Sequence, residues 1–244
     1  MSVSSRLGSA FVAYLLVSHG SRDVRPDLAI ARLADRIRQH SHAQIGTAVL
    51  ECAPLPLHQQ IGQFAQQAAE QGILEVQIVP LFLLPGVHVM EDIPQEVEKA
   101  RSLTATKLTL TSHLGSHAKL KTLFAQRSSQ AEAQILLSHG SRRAEANLPV
   151  EALADQLGML TAYWSVAPSL ALRVQELVKQ GVQKIEIVPY FLFSGGITDA
   201  IAQSVNQLSQ QLPTIDLHLA DPLDESDVAD VVMDMLMRVP ICDS

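Results

Sequence analysis

His19 and His139 each end an apolar run and are each followed by Gly-Ser-Arg. Leu15-Leu16-Val17-Ser18-His19-Gly20-Ser21-Arg22 recurs as Ile135-Leu136-Leu137-Ser138-His139-Gly140-Ser141-Arg142. A buried strand that stops at His-Gly carries an imidazole to the rim of a sheet. The glycine lets the backbone turn there and present N–H groups to a ligand. Two further residues stand at comparable places. Glu51 follows the apolar segment Ile45–Leu50, and His88 follows Val76–Leu83 by way of Pro85-Gly86-Val87. Two imidazoles and a carboxylate that meet suit two kinds of chemistry. They can hold a borderline divalent cation such as iron, cobalt, nickel or zinc. They can also accept protons near neutral pH, with the carboxylate tuning its neighbours.

Whether these side chains meet depends on the elements that carry them. Phe11–Val17 reads as a first strand, and Ile30, Leu33, Ala34 and Ile37 as one face of a helix entered through Pro26-Asp27. Ile45–Leu50 is a second strand. Ile61, Phe64, Ala65 and Ala68 mark a second helix that stops at Gly72. Val76–Leu83 is a third strand, after which Asp92 is expected to cap a helix running through Val97 and Leu103. Leu108–Thr111 and a helix over 119–124 complete the first half. Strands alternating with helices imply a parallel sheet covered on both faces, and such sheets bind ligands beyond the carboxyl ends of their strands. His19, Glu51 and His88 all follow strand ends, so they are expected on one edge.

The same order recurs after a polar, aperiodic stretch. Strands are expected at Ile135–Ser138, Ala162–Val166, Ile185–Leu192 and Ile215–Leu219. Helices are expected around Leu153, around Val174 to Gly181, over Ile201–Leu208, and from Val228 to Met237. The expectation is an α/β protein of two similar lobes, each a parallel four-stranded sheet flanked by helices. Residues 1–127 form the first lobe, 133–244 the second, and 128–132 the linker. The second half works as an internal control. Aligned on Ala53-Pro54 and Ala167-Pro168, Ser165 replaces Glu51; aligned on Pro80 and Pro189, Ile197 replaces His88. One active cleft is expected, built mainly by the first lobe, with the second as its opposite wall.

Composition narrows the partners. A formal charge of −7 and the lack of a basic stripe argue against nucleic acid. No apolar run approaches the ~18 residues that would span a membrane, and Phe11–Val17 lacks the flanks of a leader. The 2 cysteines, Cys52 and Cys242, form no CxxC motif, which fits a reducing, cytoplasmic setting. No Walker sequence is present, so ATP is not expected. There is no Gly-x-Ser-x-Gly elbow of the α/β hydrolases either.

Ser18-His19-Gly20-Ser21-Arg22, Pro80-Leu81-Phe82-Leu83, Gly86-Val87-His88 and Asp92-Ile93-Pro94 together resemble the class II tetrapyrrole chelatases. The likeness is to the sirohydrochlorin chelatases of sirohaem and cobalamin synthesis, in the long form where two fused halves mimic a dimer of the short form. It implies insertion of Fe²⁺ or Co²⁺ into sirohydrochlorin with release of two protons. The metal is then a substrate, and no organic cofactor is expected. It also implies that His19 and His88 bind metal and act in catalysis, with Glu51 as their acidic partner. A non-catalytic metal carrier or tetrapyrrole-binding protein would use the same residues. The macrocycle is a polycarboxylate, so Ser21, Arg22, His139, Ser141 and Arg142 are candidate donors, and Gly195 and Gly196 could let backbone approach the ring. The two arginines would serve equally as helix caps or partners of surface acids, and the glycines as a plain tight turn. With both walls on one chain, a monomer is expected. Some long members carry a histidine- or cysteine-rich tail; this sequence closes on Ile241-Cys242-Asp243-Ser244 without one.

Among the remaining residues, His40, His42 and His58 are expected to be solvated. His113 and His117, four apart beside Gly115, are candidates for a peripheral metal or substrate contact. Met233, Met235 and Met237 read as core filling, Asp221 and the acidic run Asp224 to Asp227 as caps for the last helix, and Trp164 as a packing residue on its strand.

Overall fold

The computed structural model describes residues 12–41, 43–126, 129–223 and 225–237. Phe11, His42, Ser128, Asp224, Cys242 and the closing Ile241-Cys242-Asp243-Ser244 lie outside them, as does the side chain of Met237. Strand β1, Val12–Ser18, is buried along nearly its whole length, so its apolar run is continuous rather than alternating. That is the signature of a central strand covered on both faces. Ala13, Leu15 and Val17 join residues of α2, Leu57–Glu70, and α3, Ile93–Arg101, in one core cluster. Tyr14 and Leu16, equally buried, face the other side by the two-residue alternation of a strand. Each fully buried Leu or Ile here contributes about 1.5–3 kcal/mol of hydrophobic stabilisation.

The first sheet has the order β2-β1-β3-β4 and is parallel throughout. Its other strands are β2, Ile45–Val49; β3, Glu75–Pro80; and β4, Lys107–Leu110. Helix α1, Val24–His40, opens earlier than Pro26-Asp27 because the Asp23 side chain caps it, accepting from Arg25 N. The second sheet repeats the topology as β6-β5-β7-β8. Its strands are β5, Ala133–Ser138; β6, Leu160–Tyr163; β7, Lys184–Pro189; and β8, Asp216–Leu219. Its helices are α5, Leu148–Leu157; α6, Leu170–Lys179; and α7, Gly196–Gln211. The parallel α/β architecture and its duplication are as expected. Strands β3 and β7 stop at their prolines, short of Leu83 and Leu192. Trp164 lies beyond the end of β6 and is 38% exposed, so it is no core residue.

Two compact units divide the described residues: those up to Leu120 together with those from Glu225 to Met237, and those between Lys121 and Leu223. The boundary falls within α4, Ala118–Ala125, and the last helix, α8, Glu225–Met237, packs with the first unit. Arg32 of α1 forms a two-pronged pair with Glu225, and Lys119 Nζ donates to the Asp230 carbonyl at 3.1 Å. Met235 of α8 is buried and Met233 half-buried, in keeping with core filling. No described helix is long and apolar enough to cross a membrane.

A bridge joins α2 to α3. Glu96 Oε2 accepts from the His58 backbone N–H (2.9 Å) and from His58 Nδ1 (2.7 Å), while Oε1 accepts from Lys99 Nζ (2.6 Å). His58 is therefore not a solvated histidine; its side chain is only 24% exposed. Burial works against the Glu96 carboxylate, but these three donors hold its pKa at about 2. Its contribution to stability is then complete above the ordinary value of 4.5 and is lost as pH falls through about 2. Urea midpoints of the wild-type chain should drop across that window, and Glu96→Gln should flatten the drop. Equal acid sensitivity of the two proteins would show that Glu96 carries none of it.

Candidate functional site

In a sheet of order 2-1-3-4 the connections diverge between β1 and β3, which opens a crevice at the carboxyl ends of those strands. His19 leaves β1 at that point, Glu51 leaves β2, and His88 follows β3 after a loop. One ligating atom from each of the three lies within 4.8 Å of the others, and among the described residues this is the group able to hold a metal ion. The imidazoles of His19 and His88 meet edge to face, with ring centroids 4.7 Å apart. Phe82 stands beside both, at 6.4 Å and 6.3 Å.

Backbone geometry sets the His19–Glu51 pair. The parallel ladder continues past the strands, with Leu50 N donating to Ser18 O at 2.9 Å and Glu51 N to His19 O at 2.8 Å. Gly20 turns here with φ +88°, and a Cβ on it would lie 2.0 Å from Glu51 O. Only glycine lets the two strand ends approach this closely.

His88 is placed differently. It opens a π-helical turn, His88–Asp92, closed by Ile93 N donating to His88 O, before α3 begins. From Pro80 to the buried Ile93 is one residue longer than from Pro189 to the equivalent buried Ile201, and a π-turn is how a helix absorbs one extra residue. Asp92 does not cap α3 by a side-chain hydrogen bond. Its Oδ2 instead accepts from His88 Nδ1 at 2.7 Å. His19 Nδ1 likewise donates to the Gly20 carbonyl at 3.0 Å. With both Nδ1 atoms engaged by acceptors, each ring presents the Nε2 lone pair.

Two Nε2 atoms and a carboxylate form a three-ligand set with open positions. Ligand atoms around a four-coordinate ion with ~2.1 Å bonds stand about 3.4 Å apart. His19 and Glu51 are exposed and His88 half-buried, so side-chain rotation can close onto an ion and release it again. The arrangement can hold a divalent cation, offer it to an incoming nitrogen donor, and take up protons that the donor sheds. Replacing Asp92 by Asn should weaken Co²⁺ binding about 10–100-fold, the usual cost of losing a ligand's hydrogen-bond partner. A cobalt titration giving an unchanged dissociation constant would remove Asp92 from the site.

The other residues singled out from the sequence are distributed as follows. Ser21 Oγ accepts from Asp23 N at 3.0 Å and braces the turn after His19, and Arg22 beside it is exposed. In the second unit Ser165 N donates to His139 O at 3.0 Å, the same bond that Glu51 makes to His19, so Ser165 does occupy the position of Glu51. Ser141 is held by Asn147, whose Oδ1 accepts from its N–H (2.8 Å) and whose Nδ2 donates to its carbonyl (2.9 Å). Arg142 is exposed. Gly195 N donates to Thr198 Oγ1 at 2.8 Å, and Gly196 opens α7 with Ile197, 42% exposed, in its first turn. His139, Ser141, Arg142, Gly195 and Gly196 thus lie past the strand ends of their own sheet.

His113 and His117 do not join the metal-binding group. Burial lowers the His113 pKa, and His117 Nε2 stands 3.3 Å from Asp234 Oδ2 on α8. Asp92 and Phe82 were missed as parts of the site. The His88-to-Asp92 spacing, four apart, was the available signal, since that spacing places two side chains on one helical face.

A family model described as CbiX matches residues 13–131 and, a second time, residues 133–238. The sirohydrochlorin cobaltochelatase of Priestia megaterium is 26% identical over 235 residues, covering 87% of this chain and 74% of its own. The sirohydrochlorin ferrochelatase of Bacillus subtilis (strain 168) is 24% identical over 219 residues, covering 83% and 82%. The structure of SirB from Bacillus subtilis with Fe³⁺ superposes with a TM-score of 0.76 at 21% identity, covering 92% of this chain and 94% of that one. That likeness establishes the shared fold.

Proposed function

Because this chain belongs to the CbiX family, we propose that it is a sirohydrochlorin chelatase, an ATP-independent lyase that inserts Fe²⁺ or Co²⁺ into the macrocycle. The observation that carries the reading is the convergence of His19, Glu51 and His88 within 4.8 Å. In the reaction two pyrrole N–H bonds break and two protons leave, while the ion exchanges its bonds to the protein for bonds to the four ring nitrogens. The imidazole Nε2 atoms of His19 and His88 hold the ion on its way to the ring. Glu51, exposed beside them, is suited to take up protons. Ser21, Arg22, His139, Ser141, Arg142, Gly195 and Gly196 are the candidates for contacts to the substrate's carboxylates and ring. The reading includes a monomer in a cytoplasmic, reducing setting, supported by the fused repeat and the low cysteine count.

Relatives named for cobalt and for iron match this chain at 26% and 24% identity, so likeness does not choose the metal. The test is anaerobic insertion of Fe²⁺, Co²⁺ and Ni²⁺, side by side, into sirohydrochlorin, followed by absorbance. Acceleration of Fe²⁺ or Co²⁺ insertion over the protein-free rate supports the reading. Binding without acceleration would make the protein a carrier.

A further inference from the structure

His19 and Glu51 are held in register by backbone bonds between adjacent strands, but Glu51 and His88 are not. Strands β2 and β3 lie on opposite sides of β1, so no ladder connects the Glu51 loop to the His88 turn. Contacts between the two segments run instead through helices α2 and α3. Gln60, in the first turn of α2, closes the Glu51 loop at both ends. Its Oε1 accepts from Val49 N (3.1 Å), and its Nε2 donates to Val49 O (2.9 Å) and Leu55 O (2.8 Å). His58, in the same turn, is bonded twice to Glu96 Oε2. Glu96 lies one helical turn beyond Asp92, which holds His88. The Glu51 loop and the His88 turn are therefore linked through Gln60 and His58 in one turn of α2, the two His58–Glu96 hydrogen bonds, and Glu96 and Asp92, which stand one helical turn apart.

We propose that the His58–Glu96 bridge is a positioning element of the metal site, setting the span between Glu51 and His88 and hence the grip on the ion. This rests on the three-residue metal site of the proposed function. The second unit argues that the bridge is not needed merely to pack the fold. Pro56 and Ser169 are the N-caps of α2 and α6, so His58 corresponds to Ala171. Buried Ile93 and Val97 correspond to Ile201 and Val205, so Glu96 corresponds to Ser204. Helix α6 is capped locally, Ser169 Oγ accepting from Leu172 N at 3.3 Å. Pro56 offers α2 no such side chain, and Glu96 supplies the acceptor from a different helix. The same architecture thus stands without the bridge where Glu51 and His88 are absent, and carries it where they are present. Both members are largely shielded, at 24% and 16% side-chain exposure, which limits screening by solvent.

The test is a Co²⁺ titration of the full chain without tetrapyrrole, read by visible absorption, in a double-mutant cycle. Glu96→Ala should weaken Co²⁺ about 10-fold in the wild-type background, in the range usual for groups that orient a ligand. In a Glu51→Ala background the same change should shift binding by less than about 2-fold, because the residue being positioned is gone. Circular dichroism verifies folding. Glu96→Gln, which keeps an acceptor for the His58 N–H, stands in if the alanine variant does not fold and should show a smaller loss of the same dependence. Wild-type Co²⁺ affinity in the folded variants, or an equal loss with and without Glu51, would overturn the proposal. Since the metal alone is the probe, the outcome is separable from whether the chain accelerates insertion.

Discussion

Substituting His88 by alanine is expected to lower the rate of metal insertion by about 10²–10³-fold while leaving the protein folded. The ring lies outside both core clusters, on a π-turn, with 35% of its side chain exposed. Removing it therefore creates no cavity, and stability should change by no more than about 0.5 kcal/mol. The site loses one of three ligands, and the partner that held it, Asp92, is already 41% exposed and able to rehydrate. The expected rate loss lies within the range for removing a group that ligates or moves protons in the reaction. Metallation followed by absorbance, with thermal melts in parallel, checks both halves of the statement. A folded His88→Ala chain inserting metal within about threefold of wild type would mean that the convergence of the three residues is incidental. His19→Ala should behave alike. Glu51→Gln separates the roles, since an amide still offers an oxygen but cannot take up a proton.

Gly20→Ala should be nearly as damaging for a different reason. The residue would adopt φ +88°, which costs an L side chain about 1–2 kcal/mol. Its Cβ would also lie 2.0 Å from Glu51 O and 2.9 Å from Glu51 C, both backbone atoms at the end of a ladder. Relief requires the ends of β1 and β2 to part, which moves Glu51 away from His19. A destabilisation of about 2–4 kcal/mol is expected, together with a loss of Co²⁺ affinity of about 100-fold. The matching glycine of the second unit provides the contrast. Gly140 has φ +79°, but a Cβ there meets the side chains of Val166 (2.7 Å) and Tyr163 (2.8 Å). Gly140→Ala should therefore lower stability without touching Co²⁺ binding. Urea denaturation and cobalt titration of both variants give the comparison, and wild-type Co²⁺ affinity in Gly20→Ala would refute the account.

The two variants also mark where reading the sequence stopped. The repeated Ser-His-Gly-Ser-Arg segment, the strands and helices, and the parallel sheet were legible because each rests on local pattern. Apolar runs, helical spacing and proline or glycine stops act over a few residues. Once a parallel sheet follows from strand–helix alternation, its strand ends share an edge. His19, Glu51 and His88 could therefore be brought together from their positions alone.

What remained hidden depends on how elements lie against one another. Asp92 has the composition of a cap, and its pairing with His88 follows from a π-turn that absorbs one extra residue. Trp164 belongs to an apolar run, but β6 ends at Tyr163, where its ladder partner Ser138 ends. His58 and Glu96 are polar residues on separate helices, and only the packing of α2 on α3 turns them into a bridge. Helix α8 follows the second repeat in sequence, and its contacts with α1 bring it to the first unit. Local preference chose the elements and the edge on which the chemistry sits. Long-range packing chose the partners that hold each ligand, because those contacts join residues whose neighbours in sequence carry no trace of them.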